Sequence, residues 1–218
     1  MSKSAKSKKN IIILSILFFG PLIFYLLLLT GTHKFNRLPI LTQNIEEINH
    51  LSDENIQLKD HISILCFLGN DVLQHKTNAL NLNEKIYKHF YGFKDFQFVV
   101  VMPEGTELAA EQLKKELGAT TDVEKWHFLF GTKNEINNIF NSLQTNYKLN
   151  EKLYAPYAFI IDKDLNLRGR DNDEDIPNGI LYGYNAETVA TIHKKMVDDV
   201  KVVMAEYRLA LKKNKRKI

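Results

Sequence analysis

Residues 11–29 read IIILSILFFGPLIFYLLLL and carry no charged side chain. A soluble helix keeps one polar face. This run has none. A bilayer core about 30 Å thick needs about 20 apolar residues at 1.5 Å rise each, and a helix pairs all its own backbone groups there. The run therefore predicts a transmembrane anchor over 11–30, in which Gly20 and Pro21 are tolerated as they are in membrane helices. Lys3, Lys6, Lys8 and Lys9 precede the run and outnumber Lys34 and Arg37 after it. By the positive-inside bias, the basic tail 1–10 stays in the cytoplasm and the rest of the chain crosses. The expectation is a single-pass cell-membrane protein with an extracytoplasmic domain, periplasmic in a bacterium. A cleaved signal peptide is the competing reading, but its apolar core spans only about 7–15 residues before a small-residue cleavage site. Here Leu26–Leu29 and Thr30 close the run without such a site.

The chain beyond the anchor fits one globular domain. Of 218 residues, 44% are hydrophobic and 25% charged, the balance of a folded protein. The net charge of +3 comes from the two ends, where Lys212, Lys213, Lys215, Arg216 and Lys217 mirror the N-terminal lysines. A nucleic-acid binder gathers its basic residues in a patch within the fold, so that class is set aside. The tip KKNKRK suits an anionic surface or, more simply, a helix C-terminus whose dipole it complements. Cys66 is the only cysteine; no internal disulfide can form, and the domain must stand on its core.

Domain boundaries come from local pattern: a linker over 31–44, a folded domain over 45–213 and a basic tail over 214–218. Ile45–Leu51 and Asn55–Leu58, joined at Ser52-Asp53-Glu54, read as an N-terminal hairpin. The continuous apolar runs His61–Leu68 and Phe96–Met102 predict buried central strands, and Trp126–Phe130 a third. Apolar residues at helical spacing predict helices over 71–90, 106–117, 133–143 and 186–213, with Thr106 as an N-cap. Tyr157–Ile161 and Leu165–Arg168 form a hairpin pair around Asp162-Lys163-Asp164. Strands alternating with helices imply a partly parallel sheet covered on both faces, an α/β plan of thioredoxin type with an added N-terminal hairpin. Pro156, just before an apolar strand, stands where thioredoxin-like proteins carry a cis-proline, although a proline also commonly opens a strand in trans.

Three segments sharpen this into a family resemblance: Phe67-Leu68-Gly69, then Trp126-His127-Phe128-Leu129-Phe130-Gly131-Thr132, and Phe159-Ile160-Ile161-Asp162-Lys163-Asp164-Leu165-Asn166-Leu167-Arg168-Gly169. With the anchor and the long last helix, the chain resembles the SCO/SenC family of membrane-anchored, thioredoxin-fold copper proteins that help assemble cytochrome c oxidase. The resemblance implies a copper site made by a C-x-x-x-C loop after the first central strand and a later histidine. In this sequence Asn70 and Gln74 occupy the two cysteine positions, and Ala155 or Pro156 lies near the histidine position. Soft Cu(I) favours thiolates, and thiol–disulfide exchange needs two of them. The expectation is thus no cofactor, with copper the minor alternative.

Other residues offer partial substitutes. Cys66 sits inside an apolar strand, where a thiol is usually inert; His75 comes just after the loop and would be its nearest imidazole. Asp171, Asp173, Glu174 and Asp175 form an acidic run, but Ile176 and Tyr182 stand where a calcium-binding loop needs glycine and glutamate, so a solvated loop is expected. Phosphate-loop, nucleophile-elbow and zinc-helix motifs are absent. Three functions remain open to such a chain: a non-catalytic accessory or assembly factor that binds a membrane or extracytoplasmic protein; a metallochaperone using Cys66 and His75; and a single-cysteine thiol oxidoreductase, which would need an accessible, acidic Cys66.

Overall fold

The computed structural model describes residues 3–30, 37–52 and 56–215. It divides into two units, 1–36 and 37–218. In the first, a helix α1 (Lys3–Thr30) holds the charge-free run, with Pro21 inside it. Its described side chains, residues 13–26, are nearly all apolar and exposed, and cover about 21 Å of helix axis. Among the described residues no helix is long and apolar enough to cross a membrane. The span expected over 11–30 is therefore not found as such.

The second unit is built on a seven-stranded sheet. Its strands are β1 (Ile40–Thr42), β2 (Ile62–Leu68), β3 (Phe96–Pro103), β4 (Trp126–Gly131), β5 (Tyr154–Ile161), β6 (Leu167–Arg168) and β7 (Tyr184–Asn185). They lie in the order β1-β6-β5-β2-β3-β4, and β7 pairs with β5. Neighbours β2, β3 and β4 run parallel. The pairs β2–β5, β5–β6, β5–β7 and β1–β6 are antiparallel. Among the described residues four helices complete the unit. Helix α2 is continuous over 76–90 with a π-type turn at Asn83–Tyr87; α3 is Glu107–Gly118 and α4 Lys133–Ser142; α5 spans 189–215 with a π-type turn at Ile192–Met196.

Successive strand side chains point to opposite faces, and both faces are covered. Ile64, Cys66, Leu68, Phe98 and Val100 pack with Leu82 and Ile86 of α2, Leu113 and Leu117 of α3, and Ile192, Met196 and Val200 of α5. Leu65, Phe67, Val99, Val101 and Phe159 pack on the other side with Ile136, Ile139 and Phe140 of α4. Two-sided burial explains why β2 and β3 are apolar at nearly every position. Each such side chain contributes about 1.5–3 kcal/mol. Trp126, 1% exposed, stacks on Phe98 at 4.4 Å and donates its indole N–H to Asn83 Oδ1 at 3.2 Å. The central strands, the four helices and the closing β5–β6 hairpin match the sequence reading closely.

The N-terminal hairpin does not form. Ile45, Ile48 and Leu58 are buried, but they sit in loop, Ile48 just before a 3-10 turn at Asn49–Leu51. The side chain of Glu47 stands in for a partner strand: it accepts from the backbone N–H groups of Ile48 (2.9 Å), Leu58 (2.6 Å) and Lys59 (2.9 Å). The hairpin's turn at 53–54 lies outside the described residues. Residues 40–42, read as part of a linker over 31–44, instead form β1 and pair with β6. Thr106 does not cap α3, because its hydroxyl donates to the Pro103 carbonyl (2.7 Å). Thr132 does cap α4, in a reciprocal pair with Glu135.

Candidate functional site

The residues singled out from sequence meet at the C-terminal end of β2, where the chain turns through 69–75 into α2. Gly69 starts the turn with φ +64°, and a Cβ there would strike the Lys152 carbonyl and approach Tyr154 Cβ to 2.9 Å. Only glycine tolerates both conditions. Asn70 N–H donates to that same carbonyl (2.9 Å), and the Lys152 ammonium pairs with the Asp71 carboxylate. The facing turn is drawn in by Asn150, whose Oδ1 accepts from Lys152 N (2.9 Å) and Tyr154 N (3.0 Å). The loop is pinned to the β5 side of the sheet.

Within that frame the candidate ligands separate. Asn70 and Gln74 are exposed. Cys66, only 5% exposed, lies on the sheet face covered by α2, α3 and α5. Cys66, Asn78, Ala155 and Pro156 line a cavity of about 10 Å³, at the lower limit for a single water. His75 does not line it. The imidazole instead lies flat on Tyr154, ring centroids 3.5 Å apart and planes within 8°. Among the described residues no group of three His, Cys, Asp or Glu side chains is placed to hold a metal ion.

Pro156 is trans, as is every peptide bond among the described residues. Register explains its tolerance. Cys66 lies opposite Ala158 and Phe67 opposite Ala155, so Pro156 and Tyr157 bulge out of the ladder. A bulge needs no N–H from the residue it extrudes, and the Pro156 carbonyl still accepts from Ala186 N (2.8 Å).

The structure adds residues that spacing alone did not reveal. Tyr154 accepts from Asn78 Nδ2 (2.8 Å) and donates to Glu187 Oε1 (2.7 Å). His75, Tyr154, Asn78, Glu187, Asp71 and Lys152 thus form one polar group at this end of the sheet. Nothing local announces it, since His75 and Tyr154 are 79 positions apart in the chain. The acidic run 171–175 is also not simply solvated. Asp173 is buried and accepts from Lys195 Nζ at 2.6 Å, with Arg170 beside it; Asp175 pairs with the same lysine at 2.7 Å.

Electrostatics turns these groups away from reactivity. Burial pushes the Cys66 thiol up to about 12 from 9.0. Burial and the Glu187 carboxylate hold the Tyr154 phenol well above its usual range. Burial lowers His75 below 6.5, outweighing the opposing pull of Glu187 and Asp71. A general base or nucleophile is normally tuned toward neutrality; here the thiol and phenol are driven into their protonated forms and the imidazole into its neutral one.

His75 gives a pH prediction with a definite sign. Its folded form gives up the proton more readily than the unfolded chain, so stability is present above 6.5 and lost as pH falls through 6.5 toward the lower folded value. Thermal melts from pH 8 to pH 5 are expected to show a shallower decline for His75→Gln than for the native chain. Parallel declines would remove the imidazole as the cause.

No protein-family model matches the sequence, and no curated protein matches it either. Solved structures do resemble the chain. A SCO1/SenC family lipoprotein from Bacillus anthracis str. Ames superposes with TM-score 0.52 at 16% identity, covering 78% of this chain and 99% of that one. An Aquifex aeolicus VF5 structure described as a putative electron transport protein gives TM-score 0.50 at 15% identity, covering 77% and 98%. The fold is thioredoxin-like. At such identities the likeness is one of fold, and its neighbours include SCO1/SenC proteins.

Proposed function

We propose that this chain is a non-catalytic accessory or assembly factor, tethered at a membrane by residues 11–30, whose extracytoplasmic thioredoxin-like domain binds another protein and serves respiratory oxidase biogenesis. The observation that carries the reading is the sealed Cys66: it is the only thiol in the chain, 5% exposed and held protonated by its surroundings. A single-cysteine oxidoreductase requires the opposite environment, which favours the non-catalytic reading over that one. A chaperone site made from Cys66 and His75 finds no support in a geometry that puts the thiol in the core and the imidazole on Tyr154.

Partner binding is favoured by what is exposed at the same end of the sheet. Leu73 (41%), Leu108 (83%) and Val189 (41%) present apolar side chains on the segments that leave β2, β3 and β7 there. The tether is supported by the charge-free run and by the exposed apolar side chains of Leu14, Leu17, Phe18 and Phe24 in α1; a helix apolar on all sides needs a nonaqueous surrounding. The lipoprotein character of the Bacillus anthracis neighbour is in keeping with membrane attachment. The link to oxidase assembly rests on the SCO/SenC resemblance.

A Cu(I) titration of the purified full chain against a competing chelator, with Cys66→Ser alongside, tests the proposal. The expected result is no competition by either protein. Tight binding lost in Cys66→Ser would put a copper chaperone in its place.

A further inference from the structure

We propose that the end of the domain opposite the 69–75 loop is a docking surface for an anionic lipid bilayer, so that the tethered domain lies on the membrane with its loop end facing away. The proposal rests on the tether proposed for residues 11–30. Tyr91 and Phe93 are each 43% exposed in the turn between α2 and β3. Phe93 forms one wall of a groove of about 260 Å³, completed by Met204 and Tyr207 of α5 and rimmed by Lys94 and Arg208. The rim cations are exposed. Lys163, also at the groove, is engaged by the Asp95 carboxylate and lies 5.9 Å from the Tyr207 ring centroid. Aromatic rings beside lysine and arginine are the composition of interfacial membrane contacts, the rings seated at headgroup depth and the cations drawn to anionic lipid.

Position supports the same occupant. An adjoining groove of about 440 Å³ shares Tyr207 and is lined by Arg37 and Leu38, so the domain begins beside this patch; its carboxylates, Asp162, Asp164 and Glu206, are paired with Arg168 and Lys59. Six residues lie between Thr30 and Arg37, and the seven steps from one to the other reach at most about 25 Å. The patch therefore adjoins the point at which the chain from residues 11–30 enters the domain. It lies by Ile62, where β2 starts. The loop at 69–75 leaves the other end of that strand, about 23 Å along. Lipid at one end leaves the exposed Leu73, Leu108 and Val189 free for a protein at the other.

The test uses the full chain in lipid nanodiscs containing headgroup-attached quencher. A fluorophore is placed at Gly92→Cys, where an added side chain meets nothing within 4 Å, or at the exposed Gln74→Cys, each in a Cys66→Ala background. In discs rich in phosphatidylglycerol, the Gly92 probe is expected to be quenched severalfold more than the Gln74 probe. The difference should shrink in pure phosphatidylcholine, in high salt, and in the triple variant Phe93→Ser, Lys94→Gln, Arg208→Gln. All three changed side chains are exposed, so melting temperature should be unchanged and serves as the folding control. Equal quenching of the two probes, or quenching indifferent to lipid charge, would overturn the docking proposal while discs still carry the chain. Shielding of Gly92 by an added protein rather than by lipid would overturn it in favour of a protein interface. A chain that fails to co-purify with the discs would remove the tether itself.

Discussion

Replacing Arg168 with methionine is expected to cost about 3–5 kcal/mol of stability, the penalty for removing one partner of a buried ion pair. At 2–4 °C per kcal/mol for a domain of this size, the melting temperature should fall by roughly 6–20 °C. Arg168 is 5% exposed and Asp162 1%. The guanidinium donates from Nη1 to Asp162 Oδ2 at 2.9 Å, from Nη2 to Glu206 Oε2 at 2.7 Å, and from Nε to the Leu38 carbonyl at 2.9 Å. One side chain thus joins β6, the turn after β5, α5 and the segment entering β1. Glu206 completes the connection by accepting from Leu38 N–H at 2.9 Å. Methionine keeps the apolar stem but strands two carboxylates. Asp162 retains the N–H groups of Asp164 and Asn166, which places the loss within the stated range and short of outright unfolding. The double variant Arg168→Met, Asp162→Asn should be less destabilised than the sum of its singles, because neutralising the stranded acid removes part of the cost. Additive losses, or a drop of only a few degrees in the single variant, would mean that the triad contributes packing and little else.

That triad also shows how far the sequence could be read. The stretch Phe159–Gly169 carried a family resemblance, and Asp162 and Arg168 both lie in it; nothing in the spacing paired them with Glu206, 38 positions beyond Arg168, or with Leu38. The central strands were legible because two-sided burial makes them apolar throughout. The helices were legible because their stripes recur at 3.6 residues. Ile45, Ile48 and Leu58 are buried but not in the strands read for them, since an apolar pattern reports burial and not where the backbone hydrogen bonds go. Glu47 takes them, and a carboxylate in that role has no sequence signature. Strands β1 and β7 are three and two residues long; their form is imposed by β6 and β5. At the candidate site, Cys66 in β2 and Asn70, Gln74 and His75 in the loop after it are all singled out by one stretch of sequence. The stacking of His75 on Tyr154, which decides that the imidazole leaves the thiol, is a tertiary contact.

The largest chemical effect should be seen at Cys66. With its thiol held at about 12 instead of 9.0, the thiolate fraction near pH 8 is smaller by about a thousandfold, and the thiolate is the reacting species. Alkylation of the native chain by iodoacetamide is therefore expected to be at least about a thousandfold slower than alkylation in guanidinium, because restricted access adds to the lost ionisation. The pH profiles should differ in shape as well. In the unfolded chain the rate should level off above about pH 9, where the free thiol has ionised. In the native chain it should still be climbing at pH 10. The walls explain why: Leu68, Leu82 and Val100 line the cavity with Cys66, and the donors among its walls, the Asn78 amide and the Trp126 indole, are given to Tyr154 and Asn83. Cavity-making changes supply an internal control. Leu82→Ala, on the helix that covers the thiol, should speed labelling in proportion to the stability it removes if reaction proceeds through opening of the fold. A native rate that matches the unfolded one, or that levels off below pH 8, would mean an accessible and acidic thiol. Single-cysteine chemistry would then return, and the accessory role would lose the observation on which it stands.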